Sequence, residues 1–364
     1  MNVKNGLTYQ TSGVDALKED ASLSQMLQLV KQTFSFRKDI GAVKLDIKYF
    51  ANVIDIGHGL GIALSTDGVG TKILVAQMMG KYNTIGIDCV AMNVNDVICV
   101  GAEPLSMLDY LAIEHPDPGF LVEIIKGLCK GCEISRITLA GGELSQIKEM
   151  IKGKREGHAF DLVGMCIGIV PLDKIIIGQS IVERDVVIGL ASSGIHSNGL
   201  TLARRVLFDK MGFSVDTHLN QLGRTVGEEL LEPTHIYVPE VMEMLKAGAN
   251  IKALINVTSD GLMNLLRIES KIGFIIEYLP EPQPIFNLIQ EHGNISDEEM
   301  YTVYNMGIGF CVVVDPKDAD QVMSIAKEYG VESFQLGYAV NEPQERVIIK
   351  PRSLISEGNM LRNG

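Results

Sequence analysis

Residues 84–100 can bury their apolar side chains together only as a helix. Ile87, Val90, Ala91, Val94, Val97 and Ile98 recur at the spacings of one helical stripe. Asp88 and Asn95 lie seven residues apart, so they share a face at the edge of that stripe, and Asp96 follows. The helix is bracketed by polar and glycine-rich sequence. Before it runs Ser65-Thr66-Asp67-Gly68-Val69-Gly70-Thr71-Lys72. After it come Gly101-Ala102-Glu103-Pro104-Leu105 and Leu108-Asp109-Tyr110. Glycines, a lysine, carboxylates and asparagines at this density suit a nucleotide triphosphate with its metal, and make an enzyme the leading reading.

Strand-like and helix-like segments alternate from about residue 61 onward, which predicts an α/β (α+β) fold. Strands are expected at 61–65, 136–140 (running into Gly141-Gly142-Glu143), 161–170, 185–191, 273–278, 307–314 and 334–340. Helices are expected near 73–79, at 84–100, 200–208 and 318–329. A length of 364 residues predicts two domains. Residues 171–184 hold a proline, a glycine and mixed charge without a helical pattern, so the division is placed at 1–172 and 173–364.

Hydrophobic residues make up 46% and charged residues 21%, enough for a packed core. The net charge of -13 and the lack of a basic stripe argue against a nucleic-acid partner. No apolar run is long enough to span a bilayer. Residues 1–10 are polar and lack the apolar core of a signal peptide, so a soluble cytoplasmic protein is expected. Cys129 and Cys132 form one C-x-x-C without a second pair, which excludes the usual zinc spacing. The helical, apolar pattern of 120–134 reads them as helix-packing residues in preference to a redox pair.

Glycines in the 67–72 loop would let backbone amides approach phosphate oxygens, Lys72 would add a charge, and Asp67 could hold magnesium. The spacing is neither a Walker A loop nor G-x-G-x-x-G, so taken alone an ordinary strand-to-helix turn fits it better. Carboxylates at Asp88, Asp96 and Glu143 near that loop could hold metal around a triphosphate. Their alternative is solvation, with Asn95 as a local cap. In Ser192-Ser193-Gly194-Ile195-His196-Ser197-Asn198-Gly199, Ser197 and Asn198 read as N-cap residues. The following helix start could attract an anion, and His196 could donate a proton or orient a phosphate. A plain cap with a solvent-facing histidine is the alternative.

With these motifs in order, the chain resembles the phosphoribosylformylglycinamidine cyclo-ligases, also called aminoimidazole ribonucleotide synthetases. The resemblance runs from Tyr9 to about Tyr338. It adds Ser12-Gly13-Val14-Asp15, Glu232-Pro233-Thr234 with Tyr237, Glu299-Met300-Tyr301 and Asn305-Met306-Gly307-Ile308-Gly309-Phe310. It implies a homodimer whose N-terminal domains pair through their sheets, with ATP in a cleft near the interface. It implies that formylglycinamidine ribonucleotide and ATP give aminoimidazole ribonucleotide, ADP and phosphate, the formyl amide oxygen being phosphorylated first. By the resemblance, Asp67, Gly68, Gly70, Thr71 and Lys72 hold magnesium and phosphates. Asp88, Asn95, Asp96, Gly141, Gly142 and Glu143 complete the ATP site, with Asp67, Asp88, Asp96 and Glu143 on Mg2+. His196, Ser197 and Asn198 lie near the substrate, and Asp67, Lys72 and His196 are catalytic.

Two other readings remain. Val257-Thr258-Ser259-Asp260-Gly261 looks locally like a thiamine-monophosphate kinase of the same superfamily. A non-catalytic nucleotide-binding regulatory dimer is the second.

Overall fold

A computed structural model describes residues 6–13, 16–358 and 360–364. Val14 and Asp15 of the early motif, and residues 1–5 of the polar start, lie outside the described residues. Helix α1 (Ala16–Gln32) precedes a first sheet. That sheet contains β1 (Asn52–Gly57), β2 (Leu60–Gly68), β3 (Glu103–Ile113), β4 (Thr138–Gln146) and β5 (Phe160–Pro171) in the order β1-β2-β5-β3-β4. Only β3 and β4 run parallel, because α4 (Pro118–Ser135) carries the chain back between them.

Alternation along the strands decides which face is covered. Ala63 and Ser65 of β2, Leu162 and Cys166 of β5, and Met107 and Leu111 of β3 are buried beneath α3 (Asn83–Ile98) and α4. On the opposite face, among the described residues, Leu108 is 44%, Tyr110 41% and Met165 40% exposed, which leaves this part of the face uncovered. α2 (Lys72–Met79) leads from β2 toward α3.

The chain then enters an eight-stranded sheet. β6 (Val186–Ala191) is followed by α5 (Leu200–Arg204), which continues as a π-helix at Arg205–Lys210. A small ribbon of β7 (His218–Leu219) and β8 (Arg224–Thr225) comes next, then α6 (Val226–Leu230) and α7 (Val238–Lys246). β9 (Ile251–Asn256), β10 (Gly273–Ile276), α8 (Pro284–Gly293), α9 (Asp297–Val303) and β11 (Ile308–Val314) follow. The chain ends with α10 (Ala319–Glu328), β12 (Ser333–Val340), β13 (Val347–Ile349), β14 (Leu354–Glu357) and β15 (Met360–Asn363). The order is β15-β14-β13-β10-β12-β6-β11-β9. The inner strands β6 and β11 and the edge strand β9 are buried along almost their whole length.

Two expectations change. Gly141, Gly142 and Glu143 lie inside β4 rather than in a loop after it. As an edge strand, β4 tolerates glycines that would weaken a central one. Asp67 and Gly68 likewise end β2 instead of opening a loop. Of the cysteine pair, Cys132 packs inward while Cys129 is exposed.

Candidate active site between the two sheets

Helix α3 carries the site. Asp88, at the edge of its stripe, is fully buried rather than solvated, and so is Lys72. Lys72 Nζ donates to Asp88 Oδ1 at 2.8 Å and to the Glu232 carbonyl at 2.5 Å. Asp88 Oδ1 also accepts from the Thr234 amide (2.7 Å), the Thr234 hydroxyl (2.8 Å) and the Ser197 hydroxyl (3.3 Å). Asp88 Oδ2 is buried without a partner. A buried charge is tolerable only when paired and hydrogen-bonded. This pair is so supported, and it joins α2 and α3 to residues 232–234. Asn95, about two helical turns on, does the same job: its amide donates to the His235 carbonyl (2.8 Å) and its carbonyl accepts from the Tyr237 amide (2.9 Å).

Asp67 and Asp96 form a second group. The Asp67 amide donates to Asn93 Oδ1 at 3.0 Å, and Asn93 returns a bond to the Asp67 carbonyl at 3.2 Å. Asp67 Oδ1 accepts from the Gly68 amide at 2.7 Å. Burial pushes the Asp67 carboxyl up, and the Gly68 bond partly opposes this. Asp96 accepts from Asn256 Nδ2 at 2.9 Å and from the Ser65 hydroxyl at 3.5 Å. Burial, helped by the negative charge of Asp67, pushes its pKa up to about 7. Gly70 is exposed at φ 71°, a left-handed turn that favours glycine. Thr71 Oγ1 meets Thr201 Oγ1 across the seam at 3.0 Å.

The 192–199 loop faces this group from the C-terminal unit. His196 is buried at φ 64°, and its Nε2 accepts from the Ser193 amide at 3.2 Å, which puts the ring proton on Nδ1. Burial, then the positive charge of Lys72, holds its pKa well below the usual value, so the ring is neutral. Ser197 and Asn198 do not cap α5, whose N-cap is Gly199 at φ 74°. Ser197 reaches Asp88 and Thr234, and Asn198 Oδ1 accepts from Ser259 at 3.2 Å.

Glu143 stands apart. Register pairs Asp67 with Gly164, Gly164 with Asp109, and Asp109 with Gly142, so these four share one rung and one face. Asp67 and Asp109 are thus about 10 Å apart, two strand spacings. Glu143 pairs with Tyr110 and projects from the uncovered face. Among the described residues no group of three or more His, Cys, Asp or Glu is placed to hold a metal. The four carboxylates therefore do not converge within one chain. Asp88 is engaged by Lys72, whereas Asp67 and Asp96 are half-buried carboxylates with no ion-pair partner among the described residues, a donor pair that fits a hard cation.

Several residues of the site carried no assignment from sequence: Asn93, Asp109, Thr234 and Asn256. Asn93 stands between Val90 and Val97 on the apolar stripe, and a buried asparagine must find partners, so it was detectable. Thr234 and Asn256 reach their carboxylates from 146 and 160 residues away, and no local pattern signals that.

Two known domains match this architecture: the N-terminal domain of AIR synthase related proteins over residues 50–170, and the corresponding C-terminal domain over 183–350. Among curated relatives, the phosphoribosylformylglycinamidine cyclo-ligase of Methanobrevibacter smithii is 45% identical over 89% of this chain and 92% of its own. That of Methanocaldococcus jannaschii is 44% identical over 92% and 93%. The chain belongs to the phosphoribosylformylglycinamidine cyclo-ligase family. Solved structures share the fold at low identity. A HypE–HypF complex matches at TM-score 0.59 and 19% identity, over 83% of this chain and 90% of that one. AaThiL complexed with AMPPCP and TMP matches at TM-score 0.60 and 14% identity, over 89% and 92%. No described helix is long and apolar enough to cross a membrane.

Proposed function

We propose that this chain closes the imidazole ring of aminoimidazole ribonucleotide from formylglycinamidine ribonucleotide, consuming ATP, a reading supported by relatives named as phosphoribosylformylglycinamidine cyclo-ligases. The carrying observation is the seam at α3, where phosphate-compatible turns and carboxylates of the N-terminal unit (residues 1–172) meet the 192–199 loop of the C-terminal unit (173–364). An amide carbon is a poor electrophile, and phosphorylating its oxygen makes that oxygen a leaving group. Attack by the amidine nitrogen then forms the C–N bond, and the C–O bond to phosphate breaks. The protein's share is positioning and electrostatic stabilisation.

Asp67 and Asp96 are the residues that would hold Mg2+ here, which would screen the ATP phosphates and neutralise the developing charge. The turn at Gly70 and Thr71 offers backbone amides to phosphate oxygens, next to Gly68, whose own amide is held by Asp67. Lys72 and Asp88 keep the two units in register, and the lysine adds positive potential beneath the turn. His196, neutral and hydrogen-bonded, shapes the loop that presents Ser197 and Asn198 to the substrate.

Glu143, with Gly141 and Gly142, would join an ATP site only across a subunit boundary. The uncovered face bearing Leu108, Tyr110 and Met165 is the surface we assign to a second copy, giving a homodimer. ADP release and diazo-coupling of the aminoimidazole product, measured with formylglycinamidine ribonucleotide, ATP and magnesium, test the activity. Stoichiometric ADP and aminoimidazole are expected, and ADP without the amine would overturn the reading.

A further inference from the structure

Two arginines stand side by side at the end of α5 and differ in their surroundings. Arg205 is exposed and pairs with Asp209 one turn on, at 3.8 Å. Arg204 is half-buried, its Nε is enclosed without a hydrogen-bond partner, and no described carboxylate bonds to it. Burial lowers its pKa, with Asp209 as a distant opposing charge. In a chain with 45 acidic and 32 basic residues, an arginine without an acid is unexpected on charge balance alone. Leaving that donor unsatisfied costs free energy, and the Nη ends of the fork, which are not enclosed, are the part open to an acceptor.

Its position supplies the acceptor's chemistry. Thr201 and Arg204 are three residues apart and share a helix face, while Leu200, Leu202 and Ala203 are buried in the C-terminal unit. That face turns to the seam, because Thr201 Oγ1 lies 3.0 Å from Thr71 Oγ1, next to Lys72. Ser197, Asn198, Thr201, Arg204, Thr71 and Gly70 all keep accessible surface. Immediately beyond, the helix widens into a π segment, a local distortion frequent at functional sites. A planar guanidinium fork on the helix face that carries the Thr201 hydroxyl suits an oxyanion, and in a ribonucleotide substrate that oxyanion is the phosphate monoester.

We propose that Arg204, with the Thr201 and Thr71 hydroxyls, holds the phosphate monoester of the ribonucleotide substrate. This rests on the cyclo-ligase reading and adds the point at which the substrate is anchored. It places the monoester, and not an ATP phosphate, at the guanidinium, one helical turn from Thr201.

The test is steady-state kinetics of Arg204→Gln and Arg204→Lys, with Arg205→Gln as the neighbouring control. For Arg204→Gln the KM for formylglycinamidine ribonucleotide should rise about 10- to 100-fold, the loss of a charge-assisted contact, with the KM for ATP within about twofold. Arg204→Lys keeps the charge without the fork and should fall between. Arg205→Gln should match the parent. In parallel, calorimetric titration of the whole protein with ribose 5-phosphate, without ATP, should show binding that Arg204→Gln abolishes while its melting temperature holds. An unchanged substrate KM, a rise in the ATP KM instead, or equal ribose 5-phosphate binding by parent and variant overturns the proposal. The titration reads the anchor independently of turnover, so a parent that binds ribose 5-phosphate through Arg204 yet forms no aminoimidazole would refute the activity alone.

Discussion

At the scale of single residues, two aspartates with raised pKa values sit where a divalent cation would relieve them. Asp67→Asn removes the charge while keeping an oxygen for the Gly68 amide, so the fold should persist and ATP turnover should vanish. Retention of most activity would remove Asp67 from the site. Asp96 gives a test that needs no substrate. Its folded pKa of about 7 lies above the ordinary 3.8, so the folded chain binds the extra proton between those values. Stability contributed by this group therefore falls as pH rises from about 4 to 7 and stays low above. The rise corresponds to about 4 kcal/mol at most, part of which the accessible edge of Asp96 screens. Asp96→Asn should raise the melting temperature of the metal-free protein at pH 8 and much less at pH 5. An equal shift at both pH values would show that the carboxyl is not desolvated. The acidic positions were legible because aspartates on an apolar helix have few reasons to be there. Their environments were not, since Thr234 and Asn256 arrive from another domain.

At the scale of elements, the site depends on how closely α3 and α4 approach. A Cβ on Gly86 would lie 2.2 Å from the Leu128 amide nitrogen and 2.4 Å from the Ile124 carbonyl, and one on Gly127 would lie 2.1 Å from the Asn83 carbonyl. In an isolated helix Gly→Ala gains about 1 kcal/mol. Here the atoms in the way are backbone, which cannot swing aside, and overpacking costs about 1–3 kcal/mol or more. The clash outweighs the propensity, so Gly86→Ala should lower the urea midpoint and, by tilting α3, reduce turnover. A stabilised variant would mean that the helices are looser than they stand here. Both helices were readable from apolar periodicity, as were β5, β6 and α10. The strand status of Gly141-Gly142-Glu143 was not, because glycine pairs signal turns unless the strand is known to be an edge, and edge position is a property of the assembled sheet.

At the scale of the whole molecule, the open face of the first sheet connects assembly to catalysis. Leu108 and Met165 pair across β3 and β5, and Tyr110 stands on the rung of Glu143. Covering that face with a second copy would bury the apolar group and bring each Glu143 to the partner's side, whereas Asp67 looks inward toward α3 of its own chain. A two-fold dimer makes the consequence arithmetic. Mix inactive Asp67→Asn chains with inactive Glu143→Gln chains, and let them exchange. If each site takes Asp67 from one chain and Glu143 from the other, half the dimers are mixed and one of the two sites in each is intact. Activity should then recover to about a quarter of the parent's. If both residues serve the site of their own chain, every site keeps one lesion and mixing restores nothing. Adding Leu108→Lys with Met165→Lys to both partners should abolish the recovery, with light scattering showing monomers, because two charges on the apolar rung prevent the faces from closing.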